Sequence, residues 1–187
     1  MSITVLRAAD HRRMPWKNGR GETTEVAVHP KGAGLGDFGW RISMAAVVED
    51  GAFSIFPGID RTLAVLGGDG IELSIAEAAP RHLTPDGAPL AFPADVAVTA
   101  RLPGGPITDL NVMTRRGVFG HCMSRKREAG PGMADWRLLL ATEATDLRLG
   151  TEEHALAALD AILVTGRDVG LPIAATAPVW VIDIGRA

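Results

Sequence analysis

Apolar and polar residues alternate with a period of two through most of this chain, while the helical period of three to four hardly occurs. The alternation predicts strands at Ile3 to Leu6, Thr23 to His29, Trp40 to Val48, Arg61 to Leu66, Ile71 to Ile75, Val96 to Leu102 and Ile107 to Met113. Turn signals separate them: Glu49-Asp50-Gly51, Phe56-Pro57-Gly58, Gly67-Gly68-Asp69-Gly70, Pro85-Asp86-Gly87 and Pro103-Gly104-Gly105-Pro106. Leu66 to Ile71 reads as a hairpin, and Gly130-Pro131-Gly132 to Ala134 as a loop leading into a second β region. That region holds Trp136 to Thr142, Ala161 to Thr165 and Val179 to Ile184. One alanine-rich segment, Glu152 to Leu159, reads as a short helix. Many short strands at this spacing predict an all-β sandwich or barrel.

A chain of 187 residues, 47% of them hydrophobic, can bury a sizeable core as one domain or as two small fused modules. Its net charge of -3 leaves no surplus of lysine and arginine for nucleic-acid phosphates, and no basic helix suggests a membrane surface. Neither an apolar leader nor a run of about 18 apolar residues is present, so no signal peptide or membrane span is expected. The single Cys122 fits a reducing, cytoplasmic setting. Small molecules and proteins remain as partners, and the apolar Val179-Trp180-Val181-Ile182 stretch suits a homodimer edge as well as an internal core.

The densest chemistry lies in Met14-Pro15-Trp16-Lys17-Asn18-Gly19-Arg20-Gly21-Glu22-Thr23-Thr24-Glu25, where Gly19 and Gly21 permit positive φ and close backbone approach. From there Thr23 and Glu25 share one face of the following strand. Trp16 is either a plug closing a barrel end or a flat surface for a planar ligand, and Lys17 is placed to neutralise a carboxylate. On Trp40 to Met44, Arg41 and Ser43 face opposite to Trp40, Ile42 and Met44. A buried Arg41 needs a carboxylate, from Glu25, from Asp109 or from a ligand. Asp109 and Asn111 are two apart on a strand and so project to one face; the alternative is the backbone-bonding role common to such residues near turns. Arg61, following Asp60, either braces the fold through Glu25 or Asp109 or meets a ligand. Arg115 and Arg116 read as a solvated pair.

At Pro15-Trp16-Lys17-Asn18-Gly19-Arg20-Gly21, Trp40-Arg41-Ile42-Ser43, Phe56-Pro57-Gly58-Ile59-Asp60-Arg61 and Asp109-Leu110-Asn111-Val112-Met113, the sequence resembles the HutD/Ves family, from about Arg7 to Arg116. The resemblance implies a bicupin, two small cupin-like β-barrels packed together. Residues 1–120 would form the first barrel, with the pocket, and residues 121–187 would complete the second, with strands exchanged between them. It also implies a ligand-binding or regulatory role in histidine degradation, with no established enzymatic activity and a small carboxylate such as formate, urocanate or formiminoglutamate in one barrel. One departure is Arg20, which stands where many relatives carry glycine and would narrow the pocket mouth or add a cation.

Metal-binding cupins set two histidines and a carboxylate on one hairpin and a third histidine on a later strand. Phe53 to Arg61 holds no histidine, and His11, His29, His82, His121 and His154 are scattered, so neither metal nor cofactor is expected. The expected ligand contacts are therefore Trp16, Lys17, Asn18, Thr23, Glu25, Arg41, Ser43, Arg61, Asp109 and Asn111. Two rival readings stay open. A metal-independent isomerase, hydrolase or lyase would use paired carboxylates, Glu22 with Glu25 or Glu25 with Asp109. A structural or protein-binding module would have Trp16 and Met44 filling the pocket.

Overall fold

A computed structural model describes residues 3–16 and 21–187 of the chain. Its first eleven strands are β1 (Ile3–Leu6), β2 (Arg12–Pro15), β3 (Gly21–His29), β4 (Trp40–Val47), β5 (Gly51–Ala52), β6 (Ile59–Gly67), β7 (Ile71–Ile75), β8 (Arg81–Leu83), β9 (Leu90–Pro93), β10 (Val98–Arg101) and β11 (Ile107–Arg115). The remainder are β12 (Phe119–Ala129), β13 (Trp136–Ala141), β14 (Thr145–Leu149), β15 (Glu152–Leu156), β16 (Ala161–Thr165) and β17 (Ile173–Arg186). Helical structure among the described residues is confined to two 3-10 turns, Ala8–Asp10 and Gly166–Gly170. No helix among them is long and apolar enough to cross a membrane. The fold is all-β and built of curled antiparallel sheets, as the alternation predicts.

The chain divides into two units, Arg12–Val118 on the one hand and Met1–His11 with Phe119–Ala187 on the other. In the first, a six-stranded sheet runs β2-β3-β4-β11-β6-β9 and a four-stranded sheet β5-β10-β7-β8. Ala45, Val47, Leu63, Val65, Phe92 and Ile107 from the larger sheet form one buried cluster with Ile71, Leu73, Leu83, Val98 and Ala100 from the smaller. Inward-facing alternate residues of two sheets thus make the core, as in any β-sandwich. The Gly67–Gly70 segment is not a hairpin. β6 pairs with β11 and β9 whereas β7 pairs with β10 and β8, so the turn carries the chain from one sheet to the other. Gly68 and Gly70 take φ of 93° and 104° to make that crossing.

In the second unit, β17 organises a sheet of order β1-β16-β13-β17-β14-β15, with β12 paired along its length. Residues Val179 to Ile184 pair with β13 and Ile173 to Ala175 with β14, so one long strand serves two neighbours in succession. Pro178, which cannot donate to a ladder, lies between the two stretches. Curling buries Leu139, Leu147, Leu156, Ile162, Val164, Ile173 and Val181 in one cluster. The chain's start joins this unit because β1 pairs with β16 and because the buried Asp160 accepts hydrogen bonds from Arg7 Nη1 (2.7 Å), Ala8 N (2.8 Å) and Ala157 N (3.0 Å). The expected helix at Glu152 to Leu159 is instead strand β15. Pairing with β14 (Leu147 opposite His154, Leu149 opposite Glu152) and burial of Leu156 outweigh the weak helical preference of the alanines.

Candidate functional site

The register of the larger sheet collects the candidate residues in three adjacent cross-strand rows. Glu25, Ser43, Asn111 and Leu63 stand in one; Thr23, Ala45, Asp109 and Val65 in the next; Val28, Arg41, Met113, Arg61 and Phe92 in the row on the other side. A bulge between Glu25 and Ala27 inserts one residue into β3, which keeps both Glu25 and Val28 on the face shared with Arg41. Above these rows lies a partly open cavity of about 630 Å³, a size that suits a small-molecule pocket. Trp16, Thr23, Arg41, Ser43, Arg61, Asp109 and Asn111 all line it. Glu25 does not line it but is bonded to Arg41, which does, while Lys17 and Asn18 lie outside the described residues.

The charged groups are deeply placed: Arg41 is 5% exposed, Arg61 6% and Asp109 1%. Arg41 Nε donates to Glu25 Oε2 at 2.7 Å, so the carboxylate that Arg41 requires is Glu25. Asn111 Nδ2 donates to Asp109 Oδ1 at 2.6 Å, which disposes of the turn-side alternative for this pair. Burial pushes the Asp109 carboxyl up to about 7, against the opposing pull of Arg61, the Asn111 amide and the Ala45 backbone. Burial likewise lowers the Arg61 guanidinium to about 10, with Asp109 working the other way and Arg41 adding like-charge repulsion.

Arg61 is held by π-faces as much as by charge. Its Cζ lies 5.4 Å from the ring centroids of Phe53 and Phe56 and 5.8 Å from that of Phe92. Its buried Nε has no hydrogen-bond partner among the described residues. A guanidinium left in that state retains the capacity to bind an anion.

Trp16 is part of the packing and part of the cavity wall. It packs on the core cluster and lines the cavity, with its indole nitrogen donating to Thr23 Oγ1 at 2.8 Å. Gly21 does not adopt positive φ, and close approach explains it: a Cβ there would lie 2.2 Å from the Ala46 carbonyl oxygen and 3.0 Å from the Trp16 ring. Gly21→Ala is therefore expected to destabilise the protein by about 1–3 kcal/mol, as overpacked sites do, and urea unfolding will measure it. Met44 does not line the cavity, and Trp16 and Met44 do not fill it.

Other expectations need correction. Asp60 pairs with Arg116 (2.8 Å), which also reaches Asp95, and Arg115 donates to the Phe38 carbonyl at 3.0 Å, so Arg115 and Arg116 are not a merely solvated pair. The rim residues Leu35, Glu49, Asp50, Phe53 and Phe56 were not foreseen. They come from loops, where no periodicity marks a facing direction. Among the described residues, no three histidine, cysteine, aspartate or glutamate side chains gather as a metal site requires.

Curled antiparallel sheets enclosing a cavity floored by buried charge define a cupin-like β-protein. A family model described as HutD matches residues 8–181, and the chain belongs to that family. It is 44% identical over 111 residues to an uncharacterised 21.2 kDa protein in the hutC 3′ region of Pseudomonas putida, covering 59% of this chain and 57% of that protein. It is 38% identical over 124 residues to protein Ves of Citrobacter koseri, covering 64% and 62%. The match thus spans under two thirds of these curated relatives. The solved structure of HutD from Pseudomonas fluorescens SBW25, described as a formate condition, superposes with a TM-score of 0.86 at 33% identity over 100% of both chains.

Proposed function

We propose that this protein binds a small carboxylate metabolite in the cavity of its first unit and thereby regulates histidine degradation. Membership of the HutD family and a relative in the hutC 3′ region support an association with histidine utilisation. The observation that carries the ligand class is Arg61: a buried guanidinium facing a cavity, encircled by aromatic rings, with an unsatisfied Nε. An anion in the cavity answers the charge of that guanidinium better than water alone, because charge-assisted bonds strengthen away from solvent. Arg41, Ser43 and Asn111 surround the same floor and would share the carboxylate. Trp16, Phe53, Phe56 and Met14 offer an apolar wall to the rest of the ligand. The P. fluorescens HutD described in a formate condition is consistent with a carboxylate in this fold.

The test is a thermal-shift screen of metal-stripped protein against formate, urocanate, formiminoglutamate, formylglutamate, glutamate and histidine, with divalent metals as a separate arm. A true ligand at a hundredfold excess over its dissociation constant adds about 2.7 kcal/mol of stability. We expect one acid to raise the melting temperature, and silence from every acid would overturn the reading. Asp109, raised to about 7, is also poised for proton transfer, which favours a metal-independent enzyme as the second reading. Following the bound acid over hours by chromatography separates the two.

A further inference from the structure

We propose, resting on the carboxylate reading above, that the cavity takes up one proton from solvent with each anion it binds, and that Asp109 receives it. The argument begins with charge on the cavity floor. Arg41 from β4 is already matched by Glu25 from β3 at 2.7 Å. Arg41 brings Glu25 with it, so that pair adds no net charge, and Arg61 from β6 is the remaining described cation on the cavity wall, set against Asp109 and an incoming carboxylate together. β11 contributes Asp109 itself and the neutral Asn111, and the remaining charged groups on the cavity wall, Glu49 and Asp50, are both acidic. Two carboxylates set against one net cation repel each other, and the more buried of them is the one that protonates.

Asp109 is that group by position. It is 1% exposed, lines the cavity, and stands on β11 between Ala45 and Val65, two cross-strand rows from the row that holds Arg41 and Arg61. Its carboxyl, already raised to about 7 by burial, needs little further push near neutral pH. The sign follows from linkage. An anion beside Asp109 raises its proton affinity, so binding is tightest where Asp109 is protonated and weakens as pH rises. Reciprocally, acidification of the surroundings loads the cavity, which makes ligand occupancy responsive to pH as well as to metabolite level.

The experiment is isothermal titration calorimetry with formate and with trans-cinnamate, neither of which gains a proton between about pH 5.5 and 8.5. Titrations in Tris and in HEPES at pH 7.5, whose protonation enthalpies differ, give the number of protons taken up. We expect about half a proton or more per ligand, and affinity about five- to tenfold weaker at pH 8 than at pH 6. The Asp109→Asn variant, an isostere of the protonated acid, should lose both the buffer dependence and the pH dependence and should bind more tightly than wild type at pH 8. If that variant does not fold, the two-buffer comparison on the wild-type protein decides alone. Binding with equal heats in both buffers and a flat pH profile would overturn proton coupling while leaving the carboxylate reading intact. Absence of binding at every pH would overturn both.

Discussion

Arg61→Met should abolish ligand-induced stabilisation while leaving the unliganded protein about as stable as before. The methionine keeps an unbranched, polarisable side chain among Phe53, Phe56 and Phe92, and so preserves most of the packing around the guanidinium. It removes a buried cation whose desolvation is only partly offset, and such replacements are often neutral or stabilising. What goes is the group that would hold a carboxylate, at a cost of about 3 kcal/mol, roughly a hundredfold in affinity. Arg41→Ala should behave differently, for it also strands Glu25, whose partner at 2.7 Å disappears. That variant should lose the ligand response and also about 3–5 kcal/mol of stability, as broken buried pairs do. Lys126→Ala, on the exposed part of β12, should keep the full response. Melting curves with and without the acid separate the three, and a ligand shift of wild-type size in Arg61→Met would remove Arg61 from the site.

Much of this site is legible in the chain because strand geometry converts spacing into direction. Residues two apart share a face, so Arg41 with Ser43, and Asp109 with Asn111, could be placed together before their strands were known to be neighbours. The need of a buried arginine for a carboxylate narrows its partner to Glu25, Asp109 or a ligand, and the structure pairs it with Glu25. What escapes this logic is anything set by pairing across strands rather than along them. The bulge after Glu25 is invisible to alternation, yet it decides that Glu25 reaches Arg41. The crossing at Gly67 to Gly70 looks like a hairpin because its glycines answer to backbone conformation, not to which sheet receives the next strand. β12 carries Ser124-Arg125-Lys126-Arg127-Glu128 with no apolar alternation, since most of its side chains are exposed and it is held by backbone pairing to β17. Phe53 and Phe56 carry no signal in the chain for a similar reason: their role depends on Arg61, which reaches them only through the fold.

Arg137→Ala should destabilise the second unit about as strongly as Arg41→Ala destabilises the first. Arg137 and Asp183 stand directly opposite each other on β13 and β17, the strands at the heart of that sheet. The guanidinium makes a two-point contact with Asp183, Nε to Oδ1 at 2.7 Å and Nη2 to Oδ2 at 2.9 Å, and Nη1 donates to the Gly130 carbonyl at 3.0 Å. It also lies under Gly132, where a Cβ would come within 2.7 Å of Nη2. Alanine therefore leaves a carboxylate and a loop carbonyl without their donors and opens space beneath the loop at once. Losing one partner of such a pair costs about 3–5 kcal/mol, a large part of the 5–15 kcal/mol that typically separates folded from unfolded states. The melting temperature should fall by about 10 °C or more. Removing Asp183 as well should cost less than the two single changes added together, because no charge is then left behind. Urea unfolding of the two single variants and the double gives the coupling directly, and simple additivity would show that the pair contributes no more than two independent side chains.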